Sequence, residues 1–174
     1  TDTGLGAIPF CGAFGYNVWL SCLSHGVTLV VQSHFDPETA VDLIDRHEVT
    51  YFSATAQMYL RMIDLEDTTP ERLASLRRGA LFFANGFDEA DFERIETHAG
   101  FPVVQPYGLS EANTQIFTGD PGARKAQRKR VGGPLIHEEL EARIVDPDTG
   151  EPLSAGERGE LLLAGYNVMR EYLG

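Results

Sequence analysis

The sequence is short of several things, and each shortage removes a class of protein. It holds 2 cysteines in 174 residues, too few for a disulfide scaffold and without the paired spacing of a metal site. Cys11 and Cys22 are expected to be reduced thiols in small buried positions. No apolar run approaches the ~20 residues that a bilayer-spanning helix needs. The opening Thr1-Asp2-Thr3-Gly4 puts no basic segment ahead of an apolar one, so no signal peptide is expected and a cytoplasmic location is. Positive charge is scarce too. With 14 basic against 26 acidic side chains the formal net charge is −12. That disfavours generic binding to nucleic acid or anionic membrane, where phosphate attraction supplies most non-specific affinity. The 5 histidines, His25, His34, His47, His98 and His137, form no i,i+4 pair and have no neighbouring ligands. They are expected at the surface or at helix ends. Neither a Gly-x-Ser-x-Gly elbow nor a Gly-rich Walker loop is present.

What remains is 43% apolar, enough for a sizeable core in one domain. Val27–Val31 is a compact β-branched run that predicts a strand buried on both faces. Asp36-Pro37 then opens a helix, with an N-cap acceptor ahead of the residue best suited to the first helical position. A strand over Val49–Phe52, a helix carrying Met58, Tyr59, Met62 and Ile63, a buried strand over Ala80–Ala84 and a helix over Asp88–His98 follow. Val103-Val104 closes the series. Strands alternating with helices imply parallel β-α-β units with helices over the sheet faces. After about Asn113 the rhythm changes. A basic connection carries Arg124, Lys125, Arg128, Lys129 and Arg130, and Leu140–Val145 then alternates like a half-buried antiparallel strand. The turn signal Asp146-Pro147-Asp148-Thr149-Gly150 lets Gly159–Leu163 pair back across it. The fold class is therefore α/β: a parallel sheet with flanking helices over 1–134, then a partial antiparallel β region over 135–174.

Parallel sheets bind ligands at the carboxyl ends of their strands. Three segments are placed there. Ile8–Gly15 sets small residues, Gly12 and Gly15 among them, beside Phe14, which suits either a slot for an apolar group or a simple glycine-eased bend. Ala84-Asn85-Gly86-Phe87 allows close backbone approach or an ordinary turn. Tyr107-Gly108-Leu109-Ser110-Glu111 combines a ring that can stack on a base, a hydroxyl for phosphate oxygen and a carboxylate for Mg²⁺. The basic connection suits either a phosphate contact or a solvated charged loop.

The order of these segments carries more than any one of them. Ile8–Gly15, then Tyr107-Gly108-Leu109-Ser110-Glu111, then Val131-Gly132-Gly133-Pro134, then Gly159–Leu173 resembles the adenylate-forming superfamily, over essentially the whole chain. The flavour is that of its acyl-CoA synthetase branch. The resemblance implies a two-step reaction in which a carboxylic acid and ATP give an acyl-adenylate, which then passes its acyl group to coenzyme A. It implies that Tyr107 stacks on adenine, that Gly108 and Ser110 border the phosphates and that Glu111 holds Mg²⁺, with Ser110 and Glu111 as catalytic residues. Asn85, Gly86 and Phe87 would lie beside the adenine, and Gly12, Phe14, Gly15 and Ala84 would line the acyl pocket.

The chain departs from the pattern in informative places. Ala84-Asn85-Gly86-Phe87 stands where Gly-Gly-Ala-Pro is frequent, and Gly12 stands where many relatives carry a histidine. No acidic residue occurs between Leu5 and Gln32, which disfavours an α-amino acid and favours a fatty or aromatic one. The resemblance also implies a phosphate loop upstream, and a ribose-binding segment and catalytic lysine downstream. The chain is thus expected to be a central slice of a larger enzyme, inactive alone and prone to self-association through surfaces left uncovered. The alternatives are a naturally short, non-catalytic α/β module that binds a nucleotide or a protein, and a luciferase-like or peptide-synthetase adenylating relative.

Overall fold

The computed structural model describes residues 2–82 and 89–173. Strand β1 (Thr3–Gly6) runs parallel to β2 (Thr28–Val31), with Thr3 opposite Thr28 and Gly6 opposite Val31. Helix α1 (Ala13–Ser24) makes the crossover between them. On the other flank of β1, Tyr51 bridges Gly4 on one side and Arg78 on the other. Those two segments widen into β3 (Ala54–Thr55) and β4 (Leu81–Phe82), again parallel. Further parallel bridges join Ala80 to Val104 and Gln105 to Val131. The sheet order is therefore β2, β1, β3, β4, then 104–105 and 131. Because β2 lies on one side of β1 and every later strand on the other, the winding reverses at β1, where such sheets open a crevice beyond their carboxyl ends.

Local chemistry sets the helices. The Asp36 carboxylate accepts from the Thr39 amide at 2.9 Å, and Pro37 takes the first position of α2 (Pro37–His47). Thr55 caps α3 (Ala56–Ile63) by accepting from the Met58 amide at 3.3 Å. With α4 (Glu89–Ala99), these helices cover one face of the sheet. Leu5, Phe52, Ala54 and Leu81 meet Val41, Ile44, Met62 and Ile95 there, all buried. Each large side chain so buried contributes roughly 1.5–3 kcal/mol. Tyr59 belongs to this core because its hydroxyl donates to the Phe52 carbonyl at 3.0 Å, and burial pushes that phenol far above its ordinary pKa.

Strand residues alternate between faces, so the opposite face carries Gly4, Gly6, Tyr51, Ser53, Ala80 and Phe82. Helix α1 lies over it at close range: a Cβ on Gly4 would stand 2.9 Å from the Cys22 sulfur. Two expectations fail at this edge. Residues 27–31 form a strand that is not buried on both faces, since Val31 is 57% exposed; β2 pairs only with β1 among the described residues. Cys22 is buried as expected, but Cys11 is exposed in the loop that precedes α1.

The basic connection resolves into a dock. Within and beside α5 (Lys125–Arg128), Lys125 reaches Glu93 at 3.3 Å, and Lys129 reaches Glu93 at 3.0 Å and also Glu89. Arg128 is buried; it pairs with the Glu96 carboxylate and donates to the Val103 carbonyl at 3.0 Å. Burial raises the Glu96 pKa, but Arg128 and the Val103 amide more than offset this and hold it below its ordinary value. Finally, β5 (Glu141–Val145) and β6 (Glu160–Ala164) pair antiparallel, with Glu141 opposite Ala164. Asp146 fixes the turn after β5 by accepting from the amides of Asp148 and Thr149, each at 2.9 Å. No helix among the described residues is long and apolar enough to cross a membrane.

Candidate active site

The start of α1 is placed by a glycine. A Cβ at Gly15 would lie 2.2 Å from the Pro9 carbonyl oxygen, so the 8–9 backbone rests directly on the first helical turn. Gly12, extended at φ −99°, is the N-cap of that turn. The placement aims Phe14 at the sheet, where its ring centroid lies 4.3 Å from that of Phe82. One turn on, the Asn17 amide nitrogen stands 2.9 Å from the Asn113 carbonyl and 2.9 Å from the Asn113 side-chain oxygen. Asn17, the one amide side chain on α1, thereby ties the helix to the loop that follows Glu111.

That loop closes on itself. Asn113 sits at φ 53° and Thr114 at φ 80°, the second a strained setting for a β-branched residue that costs roughly 1–3 kcal/mol. The Thr114 amide donates to the Leu109 carbonyl at 2.8 Å. A Cβ at Gly108 would fall 1.5 Å from the Thr114 oxygen, so only glycine fits there. The turn Ser110–Ala112 is the product. Tyr107 leaves its ring 40% exposed, 6.2 Å from the Phe117 ring, and Ser110 is exposed with its hydroxyl free among the described residues. Glu111 accepts from the Tyr172 hydroxyl, and that bond is the main cause of its lowered pKa. Residues 167–172 lie against the turn: the Met169 amide donates to the Glu111 carbonyl at 2.7 Å, and the Asn167 side chain donates to the Ala112 carbonyl at 3.1 Å.

A cavity of about 490 Å³ lies between α1 and the thin face of the sheet, the one that carries the small residues Ser53 and Ala80. Phe14, Val18, Phe82 and Ile136 give it apolar walls, while Asn17, Ser53, Asn113, Thr114 and Asn167 bring polar groups. The side-chain oxygen of Asn167 is buried there without a hydrogen-bond partner. Of the residues expected at an acyl slot, Phe14 lines this cavity, and Gly12 and Gly15 shape the helix start behind it. Tyr107, Gly108, Ser110 and Glu111 form the adjoining turn rather than the cavity wall. Ala84, Asn85, Gly86 and Phe87 lie outside the described residues. Sequence reasoning missed Asn17, Thr114 and Asn167. Only the lone amide on α1 was a usable signal.

The chemistry of these groups fits a magnesium nucleotide. A carboxylate held in its charged form, a free hydroxyl and a half-open ring stand within one turn. No group of three acidic, His or Cys side chains able to hold a metal exists among the described residues. Mg²⁺ is commonly bound by one or two carboxylates together with substrate phosphates, and Glu111 is the carboxylate this turn offers.

A parallel α/β sheet that reverses at β1, with such a turn and cavity at one of its faces, defines the class of α/β proteins that take ligands at strand ends. The chain belongs to the AMP-binding enzyme family, whose match covers residues 1–173. It is 33% identical to 4-coumarate–CoA ligase-like 9 of Arabidopsis thaliana across 98% of the chain and 30% of that protein. It is 28% identical to 2-succinylbenzoate–CoA ligase of Bacillus subtilis across 98% of the chain and 33% of that protein. The solved O-succinylbenzoate coenzyme A synthetase of Bacillus subtilis, in complex with ATP and magnesium ion, superposes with a TM-score of 0.81 at 29% identity, covering 98% of the chain and 34% of that structure. The chain thus spans about a third of the length of these relatives.

Proposed function

We propose that the chain is the acid- and nucleotide-binding portion of an AMP-forming acid–thiol ligase. In the first step a carboxylate oxygen attacks the α-phosphorus of ATP, a P–O bond breaks and pyrophosphate leaves. In the second, the coenzyme A thiolate attacks the acyl carbonyl carbon and AMP leaves, the thiol proton passing to solvent. Tyr107 stacks on the adenine, with Asn85, Gly86 and Phe87 beside it. Gly108 gives the phosphates room and Ser110 donates to phosphate oxygen. Glu111 would hold Mg²⁺, whose charge would offset that of the departing pyrophosphate. The acyl group lies against Phe14, with Ala84, Gly12 and Gly15 shaping its slot. Residues 1–134 act as the α/β unit and 135–174 as the start of a separate β unit. The 174-residue chain alone does not adenylate, since its relatives use about three times this length.

The observation that carries this reading is the Asn17–Asn113 contact, which fastens the Tyr107–Glu111 turn to the helix walling the cavity. A nucleotide on the one and an acyl group in the other would meet at a carboxyl–phosphate junction. Carboxylate-dependent pyrophosphate exchange, run with a panel of fatty and aromatic acids on the full-length protein, tests it. Exchange with at least one acid, reduced in Glu111→Gln without loss of folding, is the expected result. Exchange that is unaffected in Glu111→Gln would remove the metal role.

A further inference from the structure

The cavity beside Phe14 has a neighbour. A second chamber of about 280 Å³ is lined by Asp2, Cys22, His25, Val27 and Arg78. Two residues, Ser21 and Tyr51, line both chambers. Helix α1 runs back along the sheet, so Phe14 stands at the carboxyl ends of the strands and Ser21 about 10 Å further down, toward their amino ends. The partition is therefore at the end of the cavity remote from the Tyr107–Glu111 turn.

Resting on the ligase reading above, we infer that Tyr51 is the floor of the acyl cavity and limits the length of acid accepted, the chamber behind it being an extension that the ring closes off. Several contacts hold the ring in place. The Tyr51 backbone is bridged to Gly4 on one side and Arg78 on the other, which fixes its strand position. Its hydroxyl accepts from Ser53 at 2.9 Å, and the Ser53 oxygen in turn accepts from the Ala80 amide at 3.1 Å. The ring lies over Gly4, where an added Cβ would come within 3.5 Å of it. Burial raises the Tyr51 pKa, so the floor is neutral. Behind it, Cys22 is buried, and the Arg78–Asp2 pair stands at 3.7 Å. An acyl tail that reaches Tyr51 meets a fixed aromatic edge, and further methylenes have nowhere to go. From Ser21 to His25 the helix rises about 6 Å more, the added depth that removing the ring would open.

The test uses straight-chain carboxylic acids of increasing length on the full-length protein, with binding followed by calorimetry and activation by pyrophosphate exchange. In the wild type, affinity should rise about fourfold per methylene and then fall once the tail meets Tyr51. Tyr51→Ala should move that limit up by about five methylenes, the roughly 6 Å of helix rise behind the ring. Tyr51→Phe keeps the ring and should leave the limit in place. Ser21→Phe, at an exposed helix position whose hydroxyl has no partner among the described residues, should lower the limit. It decides the matter if Tyr51→Ala fails to fold. An unmoved limit in Tyr51→Ala or Ser21→Phe, a shift in Tyr51→Phe as large as that in Tyr51→Ala, or no acid binding to the wild type overturns the floor. Length-limited binding without exchange would overturn the ligase reading and leave the floor standing.

Discussion

The two faces of the parallel sheet are built from the same strands and do opposite things. On one, Leu5, Phe52, Ala54 and Leu81 are buried beneath α2, α3 and α4. On the other, α1 packs close over Gly4, but beside Ser53, Ala80 and Phe82 it leaves the space beneath unfilled. Close packing is the ordinary state of a protein interior. A face that forgoes it holds room for a ligand at the expense of apolar burial. The difference teaches that stability and function are separated here by the two-residue period of a strand, so adjacent residues should respond differently to mutation.

Four measurements sharpen or break that contrast, in descending order of expected effect. Phe52→Ala should cost about 3–5 kcal/mol in chemical denaturation, whereas Phe82→Ala on the thin face should cost about 1 kcal/mol while changing which acids bind. Equal losses would end the distinction. Glu111→Gln should lower pyrophosphate exchange by about 10²–10³-fold with the unfolding midpoint unchanged. Tyr172→Phe removes the bond that keeps the Glu111 pKa low. It should raise the Mg²⁺ concentration needed for half-maximal exchange by about tenfold and move the acid limb of the pH profile upward. An unaltered limb would show that the tyrosine only packs.

The smallest effect belongs to the packed face and its Glu96–Arg128 pair. The folded-state pKa of Glu96 lies below its ordinary value. Its contribution is therefore complete above the unfolded carboxyl range and is lost as pH falls through the folded value. Thermal melts should show wild type losing more stability than Glu96→Gln as pH drops below about 4.5. Parallel curves would mean the pair contributes nothing that depends on ionisation.

How much of this was legible follows from the range of the interactions. Asp36-Pro37 announced α2 because a cap and its first turn are contiguous, and Asp146–Gly150 announced the β5–β6 pairing for the same reason. The turn Tyr107–Glu111 was readable as chemistry from residue types alone. The cavity was not, because its walls come from α1, residues 51–53 and 79–82, the 113–115 loop and residues 136 and 166–167, which only the fold assembles. Asn17 and Asn113 are 96 residues apart, and no local pattern links them. The basic connection kept two readings open until Glu89, Glu93 and Glu96 lined up along α4 to meet it. Val27–Val31 misled because an apolar run does not tell a central strand from an edge strand.

The central claim is that the thin face of the sheet holds the acyl group of an adenylate whose base rests on Tyr107. A crystal of the full-length protein soaked with a non-hydrolysable acyl-adenylate analogue tests it most directly. The acyl group should lie between Phe14 and Phe82 with its tail directed at Tyr51, the adenine on the Tyr107 ring and the phosphate mimic beside Ser110. An analogue bound with its acyl group anywhere other than the cavity beneath α1 would contradict the account.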